Sequence, residues 1–282
     1  MSIRLTALLL FCLSVQLVKG QQFVCGTVVP PNAQQQEQRM AINSTFNYQS
    51  ISTCLHKTLS IHFIIVTDSL NNTGITVPAI NAAVQSLNTW FAPICLSFQV
   101  CSIDTVHAYK YDQWDRTLEE AEFTALYGKE NVINVVLVTN IVVPGGAAGY
   151  APLGISMPAA PRRDLICINK ASLAGKTFPH EMGHFFGLYH TFETSLGVEF
   201  VNEKNCATTG DLLCDTPADI NPAPVSAACI WTGTNRDPNG DMYTPLLGDI
   251  MSYHPAACVG SFTIGQYNRM IFSYLNFRNY LY

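Results

Sequence analysis

The chain has 282 residues, 48% of them apolar and 12% charged, with a formal charge of −5. An apolar fraction near half supplies a buried core and excludes disorder as the main state. The acidic balance gives no electrostatic footprint for nucleic acid or for an anionic membrane.

Residues 1–20 hold Arg4, an apolar run from Leu5 to Val18 broken only by Thr6, Ser14 and Gln16, and a small Gly20 two residues beyond Val18. This is the pattern of a cleaved signal peptide, because a spanning helix needs about 20 apolar residues in a row. Export to an oxidising compartment agrees with ten cysteines, of which Cys12 leaves with the leader. Nine then remain, an odd number, so at least one thiol lies outside the intramolecular pairs. The triplets Asn43-Ser44-Thr45 and Asn71-Asn72-Thr73 are compatible with N-glycosylation.

Residues 21–57 are rich in Gln, Asn, Pro and Ser, include the run Gln34-Gln35-Gln36, and show little helical or strand periodicity. They read as a pro-segment or loose arm, with the folded domain spanning 58–282. From Leu59, the residues Ile61, Phe63, Ile64, Ile65 and Val66 predict a buried strand. Thr76 ahead of Val77-Pro78, with Ile80, Val84, Leu87 and Phe91 at helical spacing, predicts an N-capped helix. Leu96, Phe98 and Val100 form one face of a second strand. The stretch Asp112–Tyr127, with Leu118, Ala121, Ala125 and Leu126, reads as a helix, and Val132–Val143 as a β-branched central strand. Gly145-Gly146 marks a turn before a short edge strand within Ala147–Ala151, and Leu165–Ile168 is a further brief strand. After His190 the chain is loop-like and cysteine-bearing until Ile264, Tyr267, Met270, Ile271, Tyr274 and Leu275 predict a closing helix.

The chemistry is concentrated in His180-Glu181-Met182-Gly183-His184-Phe185-Phe186-Gly187-Leu188-Tyr189-His190. On a helix His180 and His184 lie one turn apart on one face, so both imidazoles reach a single ion. Glu181 is rotated by about 100° from His180, beside that ion rather than on it, where a general base belongs. In a continuous helix His190 would sit about 9 Å further along than His184 and about 120° off the ligand face. Gly187 can take positive φ, end the helix and turn His190 back to complete the set. Three histidines leave one coordination position open, which marks a catalytic zinc site. His56, His62, His107 and His254 lack such spacing and read as ordinary surface or core residues.

The long motif resembles that of the metzincin metalloproteases, and its flanks are similar to the pappalysin family, of the ulilysin-like kind. The flanks are Gly149-Tyr150-Ala151, Thr191-Phe192-Glu193, the stretch from Gly210 to Asp219, Asp249-Ile250-Met251-Ser252-Tyr253, and Cys258 with Phe262-Thr263. The resemblance covers roughly residues 59 to 275 and implies an α/β metzincin-type zinc protease domain. That fold is a twisted mixed sheet with the active-site helix and a smaller C-terminal subdomain below a cleft. It further implies Met251 as the Met-turn methionine beneath the imidazoles and Tyr253 as a phenol donor to the oxyanion. It implies a possible calcium (Ca2+) loop at Asp211, Asp215, Thr216 and Asp219, although a solvated acidic turn accounts for them equally well. Cys25, in Val24-Cys25-Gly26-Thr27, resembles a cysteine switch whose thiolate closes the open zinc position. If Cys25 is that free thiol, the remaining eight cysteines can form four disulfides; otherwise Cys25 is paired and another is free. Cys206, Cys214, Cys229 and Cys258 leave three pairings open.

The resulting expectation is a secreted, extracellular zinc (Zn2+) endopeptidase, monomeric, acting on protein or peptide substrates and not on nucleic acid or membrane. The alternative is a catalytically silent metal-binding adhesin or decoy on the same fold, which the presence of Glu181 argues against. A gluzincin-like peptidase would use a more distant glutamate as third ligand, against which His190 and Met251 speak.

Overall fold

A computed structural model of the chain describes residues 24–41, 46, 48–143 and 146–282. The leader, the Asn43 triplet and Gly145 fall outside them. The elements in chain order are α1 (Ala33–Ala41), β1 (Lys57–Val66), α2 (Val77–Phe91), β2 (Leu96–Val106), β3 (Gln113–Trp114), α3 (Arg116–Tyr127), β4 (Ile133–Val138), β5 (Asn140–Ile141), β6 (Gly149–Tyr150), β7 (Leu165–Asn169), α4 (Thr177–Phe185) and α5 (Ile264–Ser273), which runs on into a π-helical turn over Tyr274–Arg278.

The main sheet has the order β2-β1-β4-β7-β6, parallel except for β6, which runs antiparallel to β7 at one edge. Because successive side chains alternate across a strand, β1 sends Ile61, Phe63 and Ile65 into one core and Ile64 and Val66 into another. Strands β4 and β7 divide in the same way: Val135 and Ile166 go to the first core, Val136 and Cys167 to the second. The first core takes Ile80, Val84 and Leu87 of α2 and Phe178, Met182 and Phe185 of α4. The second takes Phe123 of α3 with Tyr111 and Trp114. Both faces are covered, which is why the strands read as continuous apolar runs. The result is the mixed α/β architecture expected, with α4 against the sheet and a loop-rich C-terminal part closed by α5.

Local signals explain most boundaries. Thr76 caps α2 by accepting from Ala79 N, with Pro78 in the first turn, and Thr263 and Gln266 form a reciprocal capping box on α5. Three expectations need correction. The segment read as loose contains α1, whose Ala, Gln, Glu, Arg and Met are good helix formers. Its Ala33 packs with Leu153, Ile155, Tyr189 and Leu196, an anchor invisible to local pattern. In α3 the buried residue is Phe123, whereas Leu118 and Leu126 are 77% and 62% exposed. Finally, the described residues hold three disulfides, Cys54–Cys95, Cys206–Cys214 and Cys229–Cys258, and among them Cys101 and Cys167 are unpaired along with Cys25. Cys101 is the extra residue at a β-bulge in β2, and Cys167 is buried inside β7, so each is held by its strand away from another thiol.

Candidate active site

Helix α4 is buried along its whole length and carries both His180 and His184. Gly183 lies between them because nothing larger fits: a Cβ there would stand 2.7 Å from the Met251 sulfur and 3.2 Å from the Phe262 ring. The helix ends at Phe185, and Gly187 takes φ +87° with its N–H donating to His184 O at 2.8 Å. A Cβ at Gly187 would come within 2.8 Å of Gly154 O, so the reversal needs glycine for both conformation and space. Beyond the turn, Thr191 N donates to Met251 O at 3.2 Å. Asp219 Oδ2 accepts from Thr191 Oγ1 at 2.7 Å and from Ser252 Oγ at 2.6 Å. These bonds fasten the segment after His190 to the turn at Met251, which is itself fully buried.

The three imidazoles converge. Their Nε2 atoms are separated by 3.1 Å (His180–His184), 3.0 Å (His184–His190) and 3.3 Å (His180–His190). His180 Nδ1 faces Ile250 O at 2.6 Å and His184 Nδ1 faces Leu188 O at 2.7 Å. Since a carbonyl can only accept, both Nδ1 atoms carry the proton, and the Nε2 atoms of His180 and His184 present lone pairs toward His190 Nε2. Burial holds His184 down to about 4 and pushes His180 and His190 well below the usual histidine range, so all three rings are neutral at pH 7. The converging lone pairs of His180 and His184 repel one another unless a cation lies between them. A tetrahedron with metal–nitrogen distances of 2.0–2.1 Å has edges of about 3.3 Å, close to the spacing seen.

Around this point stand Glu181, Cys25 and Tyr253. The Cys25 Sγ and the three Nε2 atoms form one cluster with every pair within 4.8 Å. Cys25 Sγ is 3.3 Å from Glu181 Oε2, while Glu181 Oε1 is buried and has no partner among the described residues. Burial pushes the Glu181 carboxyl up to about 8. The Tyr253 phenol accepts from Cys25 N at 3.0 Å and donates to Cys25 O at 2.9 Å, and burial holds its pKa above the usual tyrosine value. Its ring packs edge-on to His190 at 4.9 Å and to Phe192 at 4.7 Å, and Phe192 stacks on the His190 imidazole at 4.8 Å. The Cys25 segment runs alongside β6, with Gly26 N donating to Gly149 O at 2.8 Å and Ala148 N to Val24 O at 2.7 Å.

Sequence reasoning passed over Thr27, whose Oγ1 lies 3.1 Å from Glu181 Oε2 and accepts from Ala151 N at 2.9 Å. Its position two residues after Cys25 was the available signal. Of the four residues named for calcium, Asp211 and Thr216 are in contact, with Thr216 Oγ1 2.8 Å from Asp211 Oδ2. Asp211 accepts from Leu213 N and Thr216 Oγ1, Asp215 from Thr263 Oγ1 and Gly265 N at the start of α5, and Asp219 holds the loop described above. Asp211, Asp215 and Asp219 do not gather into one carboxylate cluster among the described residues. Glu199 is the unexplained acid nearby, buried with neither oxygen partnered, and burial with Asp211 close by pushes it up to about 9.

The Peptidase M43 family model, described as pregnancy-associated plasma protein-A, matches residues 129–274, which is half of the chain and includes every motif residue from Gly149 to Thr263. The chain belongs to this family, the pappalysins. It is therefore a zinc metalloendopeptidase, and its relatives agree. It is 29% identical over 235 residues to an extracellular metalloprotease of Pyricularia oryzae, covering 77% of this chain and 74% of the relative. It is 27% identical over 277 residues to one of Sordaria macrospora, covering 90% and 88%. Among solved structures, mirolysin in complex with compound 9 shares the fold, with a TM-score of 0.54 at 19% identity over 79% of this chain and 96% of that one. No helix among the described residues of this pappalysin is long and apolar enough to cross a membrane.

Proposed function

We propose that this pappalysin is exported behind residues 1–20, held latent by residues 21–57, and, once they are removed, cuts extended polypeptides with zinc bound by His180, His184 and His190. The observation that carries the reading is the meeting of three neutral imidazoles through their Nε2 atoms with Glu181 at their side. A zinc ion there would polarise the scissile carbonyl and bring water to a pKa near 7. Beside a cation the Glu181 carboxyl falls from its raised value and becomes a base. Its Oε1, which has no other partner, takes the proton from the attacking water and then delivers it to the leaving amine. Tyr253, freed from Cys25, turns its phenol to the oxyanion. The outer edge of β6 receives the substrate as an added strand, in support of which it already pairs with Val24 and Gly26.

Latency is the companion reading. Cys25 is the fourth donor, and Thr27 and Tyr253 hold its segment in the place of substrate. Met251 is the floor of the site rather than a ligand. Glu181→Gln tests the catalytic assignment: the activated variant should keep its zinc while kcat falls by about 10²–10⁴. A variant that retained most of its turnover would remove Glu181 from this role and revive the adhesin or decoy alternative for the fold.

A further inference from the structure

Glu37, in α1, is the one acid of that helix and it is buried. Its Oε1 accepts from the Tyr189 phenol at 2.8 Å and pairs with Nη2 of Arg269, which projects from α5. Arg269 is itself buried, lies over the Tyr189 ring at 5.0 Å, and donates through Nε to Gly187 O at 2.6 Å. A guanidinium whose edge and a phenol aim at one carboxylate, both fixed by packing, is a built carboxylate receptor. In this chain Glu37 fills it. Beside the ion pair opens a pocket of about 540 Å³, walled by the apolar side chains of Ile155, Leu196, Leu212, Phe272 and Phe277 and, from the segment 21–57 itself, by Phe46 and Tyr48. A concave apolar pocket ending in a small number of converging donors is the form of a small-molecule site. None of the groups proposed for catalysis lines it.

We propose that Arg269 and Tyr189 form a second binding site, for a carboxylate carried on an apolar tail, with the tail in the adjoining pocket and Glu37 as its built-in occupant. The proposal rests on the reading of residues 21–57 as a pro-segment, because in the natural protein only the departure of α1 vacates the carboxylate position. Removing that segment also takes away the Glu37 carboxylate that pairs with Arg269, and an incoming anion would replace it. Through Arg269 Nε the bound carboxylate would bear on Gly187 O, the turn that carries His190 back toward His184.

The test uses the full-length chain and reads neither zinc nor peptide cleavage, so it stands apart from the catalytic reading. Glu37→Ala empties the receptor, whereas Glu37→Gln keeps it filled with an amide. Calorimetric titration with hexanoate should show binding to Glu37→Ala and none to Glu37→Gln or the unaltered chain. Acetate should bind about tenfold or more weakly, since it lacks the methylenes that enter the pocket, and neutral hexanamide should not bind. Equal binding of hexanoate and hexanamide, or no binding of hexanoate to Glu37→Ala, would overturn the proposal. If Glu37→Ala does not fold unaided, its refolding yield should recover with hexanoate and not with hexanamide; no recovery counts against the site.

Discussion

The Cys25→Ala precursor offers the sharpest probe of latency, because the structure separates the thiol from the other ties of its segment. Four-donor zinc sites are stabilised by about 10–16 kcal/mol, or roughly 2.5–4 kcal/mol for each donor. Loss of Sγ should therefore shift the seated segment toward the lifted one by about 100-fold or more, at about 1.4 kcal/mol per factor of ten. The segment keeps its backbone bonds to Gly149 and Ala148 and the Thr27 contact to Ala151. At a net of about 1 kcal/mol each, these hold it partly in the cleft. Activity of uncleaved Cys25→Ala on a quenched fluorogenic peptide should thus rise about 100-fold over the uncleaved natural chain, yet stay below that of the processed enzyme. Intact precursor would be verified by mass spectrometry and its zinc content measured alongside. A variant that carries a full zinc complement and is as silent as the parent would refute the argument.

Two further predictions concern packing and pH. Gly183→Ala places a methyl group against the Met251 sulfur and the Phe262 ring. It should destabilise the fold by about 1–3 kcal/mol in thermal denaturation, and an unchanged Tm would contradict the close fit beneath the imidazoles. Glu199, raised by burial to about 9, holds a proton in the folded chain that the unfolded chain releases above about 4.5. Its contribution to stability is therefore most favourable below pH 4.5 and declines as pH rises toward 9. Glu199→Gln should accordingly be more stable than the parent by about 1–3 kcal/mol at pH 7–8, with the difference vanishing near pH 5 in calcium-free denaturation curves. A gain that did not depend on pH would argue against a buried, protonated Glu199.

The legible parts of this fold were those whose cause is local. Continuous apolar runs announced β1, β4 and β7, an alternating face announced β2, helical spacing announced α2 and α5, and the eleven-residue zinc motif announced the site with its reversal at Gly187. What escaped depends on partners distant in sequence. Helix α1 exists in a Gln-rich stretch because Ala33 and Glu37 find Leu153, Tyr189 and Arg269 more than a hundred residues away. The resemblance implied Asp215 and Asp219 for a possible calcium loop or an acidic turn; in the fold they accept hydrogen bonds at the N-terminus of α5 and from Thr191 and Ser252. Carboxylate spacing alone does not tell those uses apart. Neither does a cysteine count tell which thiols meet: it admitted four bridges, while the bulge at Cys101 and the burial of Cys167 in β7 leave three.

The central claim is that three imidazole nitrogens share one cation, and metal content addresses it most directly. Elemental analysis of the purified, folded chain should find one zinc atom per molecule, and His190→Ala, folded by circular dichroism, should lose most of it. Well-folded natural protein free of zinc, or a His190→Ala variant that binds the metal as tightly as its parent, would contradict the account.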